Sequence, residues 1–299
     1  MKPIKSILVL AALASSSFIF AQKPITVSED SIPFGVSKLP GLAVTIPQVN
    51  YDKTQKNWIK ELQSGTKSKI VDEGGEMTIF GAYIKDISPN PINIYSKLMN
   101  QDSLLRLLVS LELKKDQYIS RSSGDAELTA AKAFLKDFAK DQYIDFVKDE
   151  LQVEDKKLKD LNNELNKLQN DKSRMQKSIQ TSRTTITAEN DNIVLQNNEV
   201  TKVTAELLEQ NNQLSSMEEG AAREEKATYI KDLEKRKKKL LNDIESSENK
   251  IRKANNEIND CDRDIPKNES EQETLRGKIA QQEGVVQKFT DKLNNVKAF

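Results

Sequence analysis

One cysteine, Cys261, and no histidine occur in the 299 residues of this chain. The lack of histidine removes the side chain that most often serves as a general base or a transition-metal ligand near neutral pH. A lone cysteine makes no intrachain disulfide and no zinc site of the Cys/His type. Acid–base chemistry would then fall to carboxylates, and Asp72, Glu73, Glu76 and Asp86 are the candidates. Glu73-Gly74-Gly75-Glu76 offers oxygen ligands to calcium, but no ligand-rich loop surrounds it, so it reads as a hairpin turn. The sequence has no glycine-rich phosphate loop, nucleophile elbow or histidine-containing triad. It therefore assigns no catalytic, cofactor-binding or metal-binding residue, and the protein is expected to be no enzyme and to need no cofactor.

Binding chemistry is also thinly marked. Lys235-Arg236-Lys237-Lys238-Lys239 is the densest basic run, diluted by Asp232, Glu234 and Asp243 and without interleaved aromatics. It reads as a solvated helix face rather than a nucleic-acid or lipid site. Lys plus Arg and Asp plus Glu each number 46, so no net charge draws the chain to nucleic acid. Asn268-Glu269-Ser270 matches an N-glycosylation pattern, but on a helix. Asp30-Ser31-Ile32 and Asp102-Ser103-Leu104 match the Asp-Ser/Thr-apolar pattern of bacterial O-glycosylation.

The elements that would hold these residues come in two kinds. Residues 1–21 have the form of a cleavable signal peptide, with Lys2 and Lys5 before an apolar stretch from Ile7 to Leu13 and a junction at Ala21-Gln22. No cysteine near the junction offers a lipid anchor, and no later stretch is long and apolar enough to span a bilayer. The mature chain is thus expected to be exported, periplasmic or extracellular, with no transmembrane segment. Residues 22–40, with Pro24, Pro33 and Pro40, read as an extended linker. A small α/β domain is expected over 41–148: a strand at Leu42–Ile46, a helix at Asp52–Gln63, a hairpin around Gly74-Gly75, and strands starting at Ile92 and Leu104. Leu128, Ala131, Leu135 and Phe138 share one face of a second covering helix.

From there a heptad pattern runs to the C-terminus. Its a positions start at Leu151, Leu158 and Leu165 and continue through Ile179, Ile186, Ile193, Val200, Leu207 and Leu214. A second series runs Ile230, Ile244, Ile251, Ile258, Ile265, Ile279, Val286 and Leu293. Several d positions are polar, among them Glu154, Ser182, Glu189, Gln196, Gln210, Ser247 and Asn268, and Cys261 is a buried d residue. The series are out of phase by about two residues, which no single stutter or stammer accommodates. Two arms, 149–217 and 230–296, are therefore expected to fold back as an antiparallel hairpin around a turn region at 218–229. Symmetric folding would set Leu151 against Val296, Ile186 against Cys261, and Gln210 against Lys237. The same register pairs Glu199 with Lys250 and sets Glu206 against Asp243. Pro266, on the outer face, is expected to kink the second arm.

The fold class is accordingly α+β: a small β-α-β-β-β-β domain with one or two covering helices, followed by a long antiparallel coiled-coil hairpin. The Phe20-Ala21-Gln22 junction and the Lys/Asn-rich composition resemble exported coiled-coil proteins of Bacteroidota. The hairpin alone resembles those of periplasmic efflux adaptors and Skp-type chaperones. Adaptors carry lipoyl-like halves on both sides of the hairpin, whereas here the sequence stops three residues past Val296; the chaperones are strongly basic. The expected function is an envelope structural or interaction protein that binds protein partners and is able to self-associate through the coiled coil. The alternatives are a chaperone-like client-binding module and an enzyme in the α/β domain.

Overall fold

A computed structural model describes residues 25–101 and 104–298; the expected signal peptide at 1–21 lies outside them. The described residues form two compact units, one of those up to 150 together with those from 289 onward, the other of residues 151–288.

The first unit is an antiparallel sheet with helices. Its strands are β1 (Val27–Phe34), β2 (Ser37–Pro47), β3 (Val71–Glu73), β4 (Glu76–Ala82), β5 (Ile92–Gln101), β6 (Leu104–Lys114) and the short β7 (Gln117–Tyr118). They lie in the order β1-β2-β6-β5-β4-β3, with β7 against β6. Helix α1 (Tyr51–Leu62) starts at Asn50, whose side chain accepts from the Lys53 N–H. Helix α2 (Asp125–Ser215) supplies its first turns to this unit.

Alternation along the strands builds the core. Leu42, Val44 and Ile46 of β2, Leu105, Leu107, Val109 and Leu111 of β6, and Ile92 and Ile94 of β5 are buried on one face. They meet Trp58 and Leu62 of α1 and Leu128, Ala131, Leu135 and Phe138 of α2. The expected second covering helix is therefore present on the residues that predict it. Each large apolar side chain so buried contributes about 1.5–3 kcal/mol. Trp58 is the keystone: its ring lies 4.8 Å from Phe138, and its indole N–H donates to Ser96 Oγ at 2.9 Å.

One expectation is corrected here. Segment 22–40 is no linker, because residues 27–34 form β1 and the chain turns at Gly35-Val36 straight into β2. Pro33 is tolerated because β1 is an edge strand, and Pro40 accepts from Ser110 Oγ through its carbonyl. Ile32 then packs on Ala43 and Leu108, on the sheet face away from the helices. Gly41 makes this possible, since a Cβ there would sit 2.3 Å from Ile32 Cδ1 and 2.6 Å from the Val109 carbonyl oxygen. At the β3–β4 turn, Gly74 and Gly75 have φ of 63° and 88°, as a two-residue hairpin requires, so the expected turn forms.

The second unit contains most of α2 and of α3 (Ala221–Ala298). Every a and d position named above is buried or half-buried, polar ones included. The antiparallel hairpin is therefore present, and its heptads are those of the sequence. α3 continues without interruption through Pro266.

The turn and the inter-arm register differ from expectation. The turn covers only residues 216–220, since 221–229 are helical. Ala221, Ala222, Arg223, Glu224 and Glu225 are good helix formers, and the Gly220 carbonyl accepts from the N–H groups of Arg223 and Glu224. A tighter turn slides the partners of each residue by roughly ten positions, about three helical turns. Gln210 meets Lys226 rather than Lys237, Glu199 pairs with Arg236 rather than Lys250, and Glu206 takes the Tyr229 hydroxyl at 2.5 Å. Cys261 lies beside Ser178, not Ile186.

Candidate docking groove

In the first unit, α1 and the opening turns of α2 leave an open groove of about 1040 Å³. Ile59 of α1 and Phe134 and Phe138 of α2 form its apolar floor, because the same side chains seal the edge of the core around Trp58. One wall carries Asp137, Asp141 and Asp145, spaced four apart so that they stack along one side of α2. The other carries Lys56, Lys60 and Glu61, and Asp86 also lines the groove. Asn57 Nδ2 donates to Gln142 Oε1 at 2.7 Å across the floor and holds the two helices at this spacing. An apolar floor between charged walls suits a protein segment better than a small polar substrate.

The four carboxylates singled out in the sequence do not converge. Asp86 lines the groove. Asp72 caps its own turn by accepting from the Gly75 N–H, and it also takes Gln55 Nε2. Glu73 is exposed at the sheet edge. Glu76 lies on the other sheet face, where the Gly35 N–H (3.0 Å) and Lys97 (3.1 Å) hold its carboxyl below the usual range.

A carboxylate the sequence did not mark sits on that same face. Glu112 accepts from Asn93 Nδ2 at 2.9 Å, the Asp116 N–H at 2.9 Å and the Tyr95 hydroxyl at 3.1 Å. Burial opposes its charge, but these three donors outweigh it and keep the acid below its ordinary pKa. Tyr95, half-buried and next to this anion, is pushed up to about 12. The Tyr95 ring also contacts Phe34 at 5.4 Å, and Phe80 and Tyr118 both at 6.4 Å. Asn93 and Tyr95 stand on β5 and Asp116 in the β6–β7 turn, so the network ties β5, β6 and that turn together rather than awaiting a substrate. The signal for it was a polar residue at alternate positions toward one end of each strand, Asn93 and Tyr95 in β5 and Ser110 and Glu112 in β6.

At the far end of the chain, Lys292 places its ammonium 5.2 Å, 5.6 Å and 5.8 Å from the ring centres of Tyr143, Phe146 and Phe289 and donates to Gln48 Oε1. Burial lowers its pKa, and the cation–π contacts tie the last turns of α3 to this unit.

In the second unit, Cys261 is 7% exposed and its thiol is pushed up by burial, as a structural d residue should be. Asn268 is buried, donates to the Leu168 carbonyl at 3.0 Å and accepts from Gln272, so its amide has no room for a glycan. In the basic run, Lys235 pairs with Asp232 on its own helix and Arg236 with Glu199 on the other. Asp30 pairs with Arg106 on the sheet, and Asp102-Ser103 lie outside the described residues. Among the described residues no three His, Cys, Asp or Glu side chains cluster for a metal, and no helix is long and apolar enough to cross a membrane.

No protein-family model matches the chain, and no curated protein matches it. Among solved structures it is similar to a coiled-coil segment of Pyrococcus yayanosii Smc, at 23% identity over 53% of this chain and a TM-score of 0.44. The likeness spans 66% of that segment, just under two thirds of its length.

Proposed function

We propose that this is an exported structural and interaction protein of the bacterial envelope, in which the sheet unit docks a protein partner and the coiled coil acts as a spacer. The observation that carries the reading is the unbroken a/d seam of the second unit, covered along both arms even where it is polar. A two-helix seam of this kind, roughly 100 Å long, supplies stiffness and length rather than a reaction centre. The groove between α1 and α2 supplies the docking face, with its apolar floor and its ladder of Asp137, Asp141 and Asp145.

The test uses the intact protein in its native host. Mass spectrometry of the mature form should find Gln22 first; a retained Met1 would overturn the export. Affinity capture from envelope extract should recover a stoichiometric partner that the Asp137→Lys/Asp141→Lys variant loses. No such partner, or one held equally by the variant, removes the groove from the function.

A further inference from the structure

The two flanks of α2 in the distal part of the hairpin differ in kind. On one flank Glu199 and Glu206 reach across to Arg236 and Tyr229 of α3. The opposite flank, from Asn190 to Asn212, presents an outward stripe centred on the b positions Val194, Thr201 and Leu208. Val194 is 59% exposed and Leu208 66%. Their neighbours at e and f are Asn, Thr and Ala, apart from Asp191. The chain as a whole is 31% charged, so these positions should hold roughly three or four charges and hold one, Asp191. The polar groups also turn inward: Thr201 donates to the Asn197 carbonyl at 2.9 Å, and Asn211 to that of Leu207 at 2.8 Å. Charge depletion with exposed aliphatics is the composition of an interface centre.

We infer that this stripe pairs with the same stripe of a second copy of the chain, antiparallel about a two-fold axis at Thr201. The spacing is self-complementary, because Val194 and Leu208 lie seven residues to either side of Thr201. A two-fold there sets each Val194 against the Leu208 of the other copy and brings the two Thr201 residues together. The near absence of charge is what an isologous contact needs, since each side chain meets its own kind and any charge near the axis would repel itself. A partner with a charged face would leave those charges unpaired against Asn and Thr. The stripe is about 33 Å long and one helix wide, which buries around 1,000 Å² over both copies, so the dimer should form in the micromolar range. This inference is independent of the groove and of export.

Sedimentation equilibrium of the mature full-length chain tests it. The wild type should dimerise with a micromolar dissociation constant, and Val194→Lys/Leu208→Lys should weaken this at least tenfold with the helical circular dichroism unchanged. Thr201→Cys should give a rapid disulfide between copies under mild oxidation, while Thr187→Cys, also at a b position but two heptads away, should not. A wild type that stays monomeric at 100 µM overturns the proposal, even if another protein occupies the stripe. So does a dimer that the double lysine variant leaves intact, or cross-linking that is equal at both cysteine positions. Should the lysine variant lose helix, the cysteine pair alone decides.

Discussion

Replacing Ser178 by cysteine should lock the two arms together. Ser178 Oγ donates to Glu257 Oε1 at 2.8 Å and Cys261 Sγ approaches the same oxygen at 3.9 Å, so the two side chains share one partner, and the Ser178 hydroxyl is near enough to lower the Cys261 pKa against the effect of burial. Two sulfurs placed so are within bridging reach. The bridge closes a loop of about 80 residues, which in the chain-entropy account is worth about 4–5 kcal/mol against the unfolded chain. Cys261 is buried with a raised pKa, so its thiolate is scarce and the oxidation needs copper–phenanthroline or a similar catalyst. Low protein concentration, non-reducing electrophoresis and intact mass should show a monomer two hydrogen atoms lighter, and its thermal loss of helix should move up several degrees and return on reduction. Ile186→Cys is the control. It stands about eight residues further along α2, some 12 Å of helix, and should stay reduced. If Ile186→Cys bridges to Cys261 while Ser178→Cys does not, the wide-turn register is right and the one described here is wrong. If both bridge only between chains, there is no hairpin.

Gly41→Ala should destabilise the sheet unit by about 3 kcal/mol, because its new Cβ overlaps the Val109 carbonyl, which is backbone and cannot rotate away; urea unfolding of the intact chain monitored at Trp58 reads this. Glu112→Gln should flatten the acid limb of that same transition. The depressed pKa of Glu112 means that its contribution is present above the ordinary value of 4.5 and is lost as pH falls through the lower folded value, so wild type should lose more stability than the variant between about pH 5 and pH 3. Asn268→Leu should cost about 1–3 kcal/mol, since the Gln272 amide, 4% exposed, loses its acceptor at 2.7 Å. Adding Gln272→Leu should restore most of that loss in the thermal unfolding of the arms, because the apolar pair leaves no amide stranded.

Much of the fold was legible because burial follows period. Leu42, Val44 and Ile46 announce β2 by alternation, and Leu128, Ala131, Leu135 and Phe138 announce the α2 face by helical spacing. The first strand was missed although Ile32 and Phe34 alternate properly within it. Three prolines in 22–40 outweigh that signal locally, yet an edge strand needs no donor on its open side, and only the pairing shows that β1 is an edge. The groove was hidden for a different reason. Asp137, Asp141 and Asp145 have a visible spacing of four, but in a chain so rich in charge such a ladder stands out only once α1 is seen opposite it.

The inter-arm register was illegible because of what a heptad repeat is. Sliding one arm along the other returns apolar layers to apolar layers, so the seam itself is nearly indifferent to the choice. The choice is left to the turn and to the polar layers. Residues 221–229 look like turn because no apolar a/d pair continues into them: Arg223 and Lys226 stand where such residues would be. They are helical nonetheless, because their propensity is high and Lys226 can be satisfied in place, with Gln210 Oε1 at 2.7 Å and Gln213 Oε1 at 2.8 Å accepting from its ammonium. Further down, Asn268 on the Leu168 carbonyl and Gln282 on the Glu154 carbonyl use side chains whose partners exist at one register only. A polar residue in the seam costs stability and returns alignment, so the residues that weaken this coiled coil are the ones that set which layers meet.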